Sequence, residues 1–126
     1  MKIYTSYFAN LKNIPVGIVP ISICRRAPKG YGGTEYKLLA PSGALLSEWR
    51  KNHDEAEYRF KFAKQLTSLD ASKIVDVLNY ISGGLDIVLV CYEGPSKFCH
   101  RHIVAEWLNK HGYEVTEWKG EEHENR

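Results

Sequence analysis

The stretch that decides the fold is Asp86-Ile-Val-Leu-Val-Cys91-Tyr92, continued by Glu93-Gly-Pro-Ser-Lys97 and then by Phe98-Cys-His-Arg-His-Ile-Val-Ala-Glu-Trp-Leu-Asn-Lys-His111. The first segment is rich in β-branched residues and lacks the polar-out alternation of a half-exposed sheet, so it reads as a strand covered on both faces. Gly94-Pro95 turns the chain. From Phe98 to His111 the apolar residues Ile103, Val104, Trp107 and Leu108 fall on one helical face, and Gly112 stops the helix. Tyr113 to Trp118 reads as a further short strand. Strand, helix and strand in about thirty residues make a βαβ unit, whose two strands run parallel.

Working outward, Lys2 to Thr5 and Val16 to Cys24 read as two earlier strands. Between them and Asp86 lie three helices, each with a start signal: Ser42 before Leu45, Leu46 and Trp49; Asp54 with Glu57 at capping-box spacing; and Asp70 or Ser72 before Ile74, Leu78 and Ile81, closed by Gly83-Gly84. The order β-β-ααα-β-α-β predicts an α/β fold, a three-layer, Rossmann-like arrangement with a short, mostly parallel sheet flanked by helices. The roughly ten residues between the first two strands are short for a parallel crossover, which makes that assignment the exposed one.

The chain has 126 residues, enough for one domain, read here as a single α/β domain over 1–118 with a polar tail over 119–126 that has no apolar residue to bury. Hydrophobic residues make up 44% and charged residues 25%, close to globular averages, so wholesale disorder is excluded. Seventeen Lys and Arg against fifteen Asp and Glu leave +2, far from the basic stripe of a protein that lives on nucleic acid. No apolar run approaches the roughly 20 residues of a membrane span. Cys24, Cys91 and Cys99 cannot all pair within one chain, and the expectation is free thiols in a reducing, cytoplasmic setting.

Parallel strands collect their carboxyl ends at one edge of the sheet, where ligands of such folds sit. The ends collected here are Thr5-Ser6-Tyr7, Arg25-Arg26 and the run from Cys91 to Arg101. With Ser96 as N-cap, the amides of Lys97, Phe98 and Cys99 would lack helical partners and welcome an anion, with Lys97 and Arg101 adding full charges. Arg25 is the nearest cation of the second strand end, and Tyr7 with the hydroxyls of Thr5 and Ser6 adds polar contacts. Cys99 in a first helical turn beside Arg101 has the surroundings that activate a thiol nucleophile; the competing reading is a small apolar thiol facing the sheet. His100 and Glu93 are the candidate acid/base groups, and Cys91 serves either the site or the core. His100 and His102 diverge by about 200° on a helix and no C-x-x-C pair exists, so no metal is expected. The glycines of Gly30-Tyr-Gly-Gly33 are followed by no Lys-Ser/Thr pair, so this is not a phosphate loop of the Walker type, and no cofactor is implied.

Thr5-Ser-Tyr-Phe-Ala-Asn10, Tyr36-Lys-Leu-Leu-Ala-Pro41, Cys91-Tyr-Glu93, Cys99-His-Arg101 and Val104-Ala-Glu-Trp-Leu108 together resemble the bacterial and phage family called domain of unknown function 488, over about residues 2–118. The family motif positions matched are Thr5, Ser6, Tyr7, Cys91, Glu93, Cys99, His100 and Arg101. The resemblance implies an α/β, nucleotide-binding-like layout and no established reaction. The functional expectation is a site for a phosphate-bearing small molecule, nucleotide-like, at the strand ends. Its enzymatic form is a hydrolase or transferase and its non-enzymatic form is a binding protein. Nucleic-acid association and a phage or host protein-interaction module are the alternatives.

Overall fold

A computed structural model of the chain describes residues 1–94 and 97–120. Five strands, β1 (Ile3–Tyr7), β2 (Ile18–Ser22), β3 (Thr34–Glu35), β4 (Asp86–Cys91) and β5 (Val115–Glu117), form one sheet in the order β3-β2-β4-β1-β5, with every pairing parallel. Four α-helices join them: α1 (Gly43–Asn52), α2 (Glu55–Leu66), α3 (Ala71–Ile81) and α4 (His100–Lys110). The result is the expected α/β, Rossmann-like architecture. The deciding strand is the central one: Ile87, Val88, Leu89 and Val90 are all fully buried, which is why their sequence shows no alternation.

The short connection after β1 causes no conflict, because β1 and β2 are not neighbours. β4 lies between them and pairs with both, so the chain only has to step across one strand, which it does through a 3-10 helix over Phe8–Asn13. The two-residue β3 at the edge was not anticipated; Thr34-Glu35 carries no apolar pattern, and its pairing comes from Ile21 and Ser22 of β2.

The helix starts are those the side chains predict. Ser42 accepts from the Leu45 amide, Asp54 from the Glu57 amide and Asp70, rather than Ser72, from the Lys73 amide. The reciprocal half of the capping box at Asp54 is supplied from outside: its amide donates to Asn52 Oδ1. Leu45, Phe62, Leu66, Leu78, Val104 and Leu108 bring the four helices onto Ile21, Ile87 and Leu89 of the sheet. Gly112, with φ of 91°, adopts the left-handed geometry that ends α4. The polar tail falls largely on residues 121–126, outside the described residues.

One boundary matters for function. α4 begins at His100 with Cys99 as its N-cap, and the Cys99 side chain makes no capping hydrogen bond. Ser96, the expected N-cap, lies outside the described residues. Lys97, Phe98 and Cys99 therefore precede the helix, and the Lys97 amide is already used, donating to Gly94 O at 3.2 Å. The expected fan of free amides at these three positions is replaced by a loop. Phe98 anchors that loop by packing against Trp49 and Tyr58 of α1 and α2, with ring centroids 5.3 and 5.1 Å away.

Candidate functional site

The carboxyl edge of β2 and β4 opens into a cavity of about 580 Å³, roofed by α1 and α2 and closed by the loop between β4 and α4. Arg25 and Arg26 enter it from the end of β2, Glu93 and Lys97 from the loop, and Cys99 and His100 from the start of α4. Trp49, Tyr58 and Phe98 supply an aromatic wall. Arg25, Arg26, Arg50 and Lys97 are exposed at its rim, and among the described residues none of them is paired with a carboxylate. The lining thus combines apolar area with four exposed cations and one carboxylate, Glu93.

The α1 contribution was missed in the sequence reading, although a signal exists. Leu46, Trp49, Arg50 and His53 follow one another at helical spacing on a single face, so a cation and an imidazole share a stripe with two residues that pack inward. His53 ends α1 with φ of 49°, a left-handed cap at a non-glycine residue.

Several expected ligand contacts are redirected by the structure. Arg101, expected to clamp an anion, is completely buried and already engaged. Its Nε and Nη2 donate to the two carboxylate oxygens of Glu117 at 3.1 and 3.0 Å, a bidentate pair, and the remaining donors reach Glu93 O, Gly94 O (3.4 Å) and Cys91 Sγ (3.2 Å). A desolvated guanidinium needs this many partners, and Glu117 on β5 provides the compensating charge. Arg101 thus holds the β4–α4 loop in place from behind.

Thr5 and Ser6 are likewise spent: Thr5 Oγ1 donates to Glu117 Oε1 at 2.6 Å, and Ser6 Oγ accepts from Asn10 Nδ2 at 3.0 Å. Tyr7 lies with its ring 5.6 Å from the Arg101 guanidinium carbon. These three residues sit on the β1 side of β4 and do not line the cavity. The strand-end rule puts all carboxyl ends on one edge, but the buried Arg101–Glu117 pair divides that edge into a packed half and an open half.

At the open half, His100 is buried, and burial pushes its imidazole down to about 4. Its Nε2 lies 2.6 Å from Ile23 O. A carbonyl only accepts, so Nε2 carries the proton and Nδ1 presents a lone pair, directed toward Cys99 Sγ at 4.0 Å. Cys99 is bonded to Cys91 in a disulfide, which corrects the expectation of three free thiols. An odd cysteine count leaves one pair possible, and the end of β4 and the entrance of α4 bring these two together across eight residues. Cys24 remains free and buried against them, and burial pushes its thiol up to about 11, so it is a neutral thiol at pH 7.

Cys91, Cys99 and His100 gather their ligand-type atoms within 4.8 Å of one another. The Arg101 guanidinium on Cys91 Sγ adds positive charge where a metal cation would sit, and the bonded sulfurs are not thiolate donors. This donor set does not favour a metal.

With the geometry in hand, comparison of the sequence with protein-family models gives a match over residues 9–112 to DUF488-N3a, described as the active DUF488-N3 subclade. The chain belongs to the DUF488 family. No curated protein and no solved structure matches it. In this DUF488 protein all residues lining the cavity, from Cys24 to His100, lie within the matched span, whereas Thr5, Ser6, Tyr7 and Glu117 lie outside it. No helix among the described residues is long and apolar enough to cross a membrane.

Proposed function

We propose that the cavity binds a phosphate-bearing small molecule, nucleotide-like in pairing an anionic group with a flat apolar part. The observation that carries this reading is the set of four rim cations, Arg25, Arg26, Arg50 and Lys97, that lack carboxylate partners among the described residues yet converge on an aromatic-walled space. Left alone, such a group repels itself; a phosphate removes the repulsion and accepts charge-assisted hydrogen bonds of about 1.5–3 kcal/mol each. Arg25 after β2 and Lys97 in the loop before α4 come from different segments of the lining and are assigned to the phosphate. Trp49 and Phe98 are assigned to the apolar part, by stacking. Glu93 is the wall's only carboxylate among the described residues and is the base for a hydrolase or transferase step. Cys99 with the Nδ1 lone pair of His100 is the nucleophile for group transfer, once its disulfide is open.

The test is a thermal-shift panel of nucleotides, phosphosugars and inorganic anions on the wild type and on Arg25→Glu and Arg50→Glu. A ligand at one hundred times its dissociation constant stabilises the fold by about 2.7 kcal/mol, and each charge reversal is expected to weaken it at least tenfold. A panel in which no anion shifts the melting temperature refutes the reading. Arg101 is unsuited as the probe, because its loss would unfold the loop it holds.

A further inference from the structure

We propose that the Cys91–Cys99 disulfide is a reversible redox couple, reduced by an anionic low-molecular-weight thiol that enters through the cationic cavity and attacks Cys99. This inference rests on the cavity's selectivity for anions and adds to it a second substrate class and a reaction.

The two sulfurs occupy different surroundings, and these set the direction of attack. Cys99 lines the cavity and retains 6% of its surface, whereas Cys91 is fully buried and does not reach the cavity. An incoming thiolate therefore meets Cys99 Sγ first. The group that must leave is Cys91, and Arg101 Nη1 lies 3.2 Å from its sulfur, positioned to stabilise the thiolate as it forms. The arginine that fails as an external anion clamp thus faces the one internal atom that becomes an anion. Entry is past Arg25, Arg50 and Lys97, which raise the local concentration of a negatively charged reagent.

The chemistry balances without a further cofactor. A small thiolate attacks Cys99 Sγ, the Sγ–Sγ bond breaks, and its electron pair passes to Cys91 Sγ, leaving a mixed disulfide on Cys99. A second small thiolate attacks the small-molecule sulfur of that mixed disulfide and releases Cys99 as thiolate. Two protons taken up at the protein thiolates complete the reaction: one protein disulfide and two small thiols give two protein thiols and one small disulfide. Run backward, the same steps reduce an anionic disulfide and regenerate the bonded pair. In that direction the Cys99 thiol loses its proton to solvent at the cavity mouth, and His100 Nδ1, 4.0 Å from Cys99 Sγ, orients the thiol as a hydrogen-bond acceptor rather than as a base.

The reaction is read by intact mass with glutathione disulfide, which carries net negative charge, and cystamine, which carries net positive charge, as matched probes. In Cys24→Ser/Cys91→Ser, which removes the resolving thiol and the neighbouring one, glutathione disulfide is expected to leave one adduct, on Cys99, at least about tenfold faster than cystamine does. Arg25→Glu/Arg50→Glu in the same background should erase that preference. A folded protein that gains no adduct, while its urea-unfolded form does, overturns the proposal, as does a cystamine rate equal to or above that of glutathione disulfide.

Wild-type protein supplies a second measurement independent of the variant's folding. Incubation with reduced glutathione, acid quench and alkylation in denaturant should label Cys91 and Cys99 together in addition to Cys24, and labelling of Cys24 alone at every thiol concentration also overturns it. Phosphate-ligand stabilisation of Cys24→Ser/Cys91→Ser, measured in parallel, separates the two readings. If stabilisation persists without an adduct, the exchange fails and the anion site stands; if both are lost, the anion site fails as well.

Discussion

Replacing Glu117 by Gln removes the countercharge of a guanidinium that has no contact with water. Arg101 is fully buried, and both of its hydrogen bonds to Glu117 are charge-assisted, at 3.1 and 3.0 Å. Breaking such a pair from one side typically costs about 3–5 kcal/mol, because the surviving charge stays buried. Glu117 is itself one-fifth exposed, so water compensates in part and the lower end applies, about 3 kcal/mol. At about 3–5 °C per kcal/mol for a domain of this length, the melting temperature should fall by roughly 10–15 °C. The coupling is the sharper quantity. Arg101→Met alone strands the Glu117 carboxylate and the carbonyls of Glu93 and Gly94, yet in the Glu117→Gln background it removes a charge already orphaned. The double variant should therefore be more stable than the sum of the single losses predicts, by about 2 kcal/mol. Urea unfolding of the four proteins measures both quantities. A Glu117→Gln penalty under 1 kcal/mol, or strict additivity, would refute the claim that this pair holds the loop.

Three further outcomes follow from local geometry. His100 has a folded pKa of about 4 against 6.5 for an unperturbed imidazole; the unfolded chain therefore binds its proton first, and stability is lost as pH falls from about 6.5 to 4, by about 3 kcal/mol in total. His100→Gln, which keeps a donor for Ile23 O, should flatten that slope in urea midpoints taken between pH 7 and 5; an unchanged slope would assign the effect to other groups. Ser42→Ala removes the side-chain acceptor of the Leu45 amide and should cost about 1 kcal/mol by thermal unfolding, with no loss expected if water replaces the cap. Leu78→Ala on α3, fully buried in the core, should cost about 2–5 kcal/mol while leaving anion-induced stabilisation intact, since α3 does not line the cavity.

The elements were legible wherever their cause is local. Three N-cap side chains announce α1, α2 and α3, and the unalternating run from Asp86 to Cys91 announces a strand buried on both faces, because capping and burial leave marks within a few residues. What escaped depends on register between distant segments. Glu117 meets Arg101 only because Thr5 pairs with Glu117 across β1 and β5, and nothing within six residues of either charge records that pairing. Arg50 and His53 enter the cavity because α1 lies over the end of β2, a tertiary fact that helical spacing hints at but does not place. The start of α4 was read one turn too early for a related reason: Phe98 has the character of a helix-face residue, yet its contacts with Trp49 and Tyr58 hold it in the loop.

The burial of Arg101 at the start of α4 bears on the electrostatics of the helix. A cation in the first turn of a helix opposes the positive end of the helix dipole, so an isolated Arg101 would be unfavourable where it stands. An external phosphate and an internal carboxylate both resolve that conflict, and the sequence around Cys99-His-Arg101 suits either. Two features decide between them: β5 follows α4 directly, and its three residues place Glu117 beside Thr5 at the closed half of the sheet edge. Once the carboxylate is supplied from within, the guanidinium is free to do what a ligand-bound arginine cannot, which is to remain fixed behind Cys91 whether or not the cavity is occupied. The proposed anion capture and the proposed thiol chemistry are then separable: the first would belong to exposed side chains after β2, on α1 and in the loop, the second to buried groups at the mouth of α4. Reversing the charge of Arg25 and Arg50 should therefore abolish phosphate-induced stabilisation and the preference for an anionic disulfide, while leaving the rate of exchange with an uncharged disulfide, hydroxyethyl disulfide, within about twofold of the parent protein. If that uncharged reagent slows in parallel with the anionic one, the two functions share a common support and the sheet edge is not divided into independent halves.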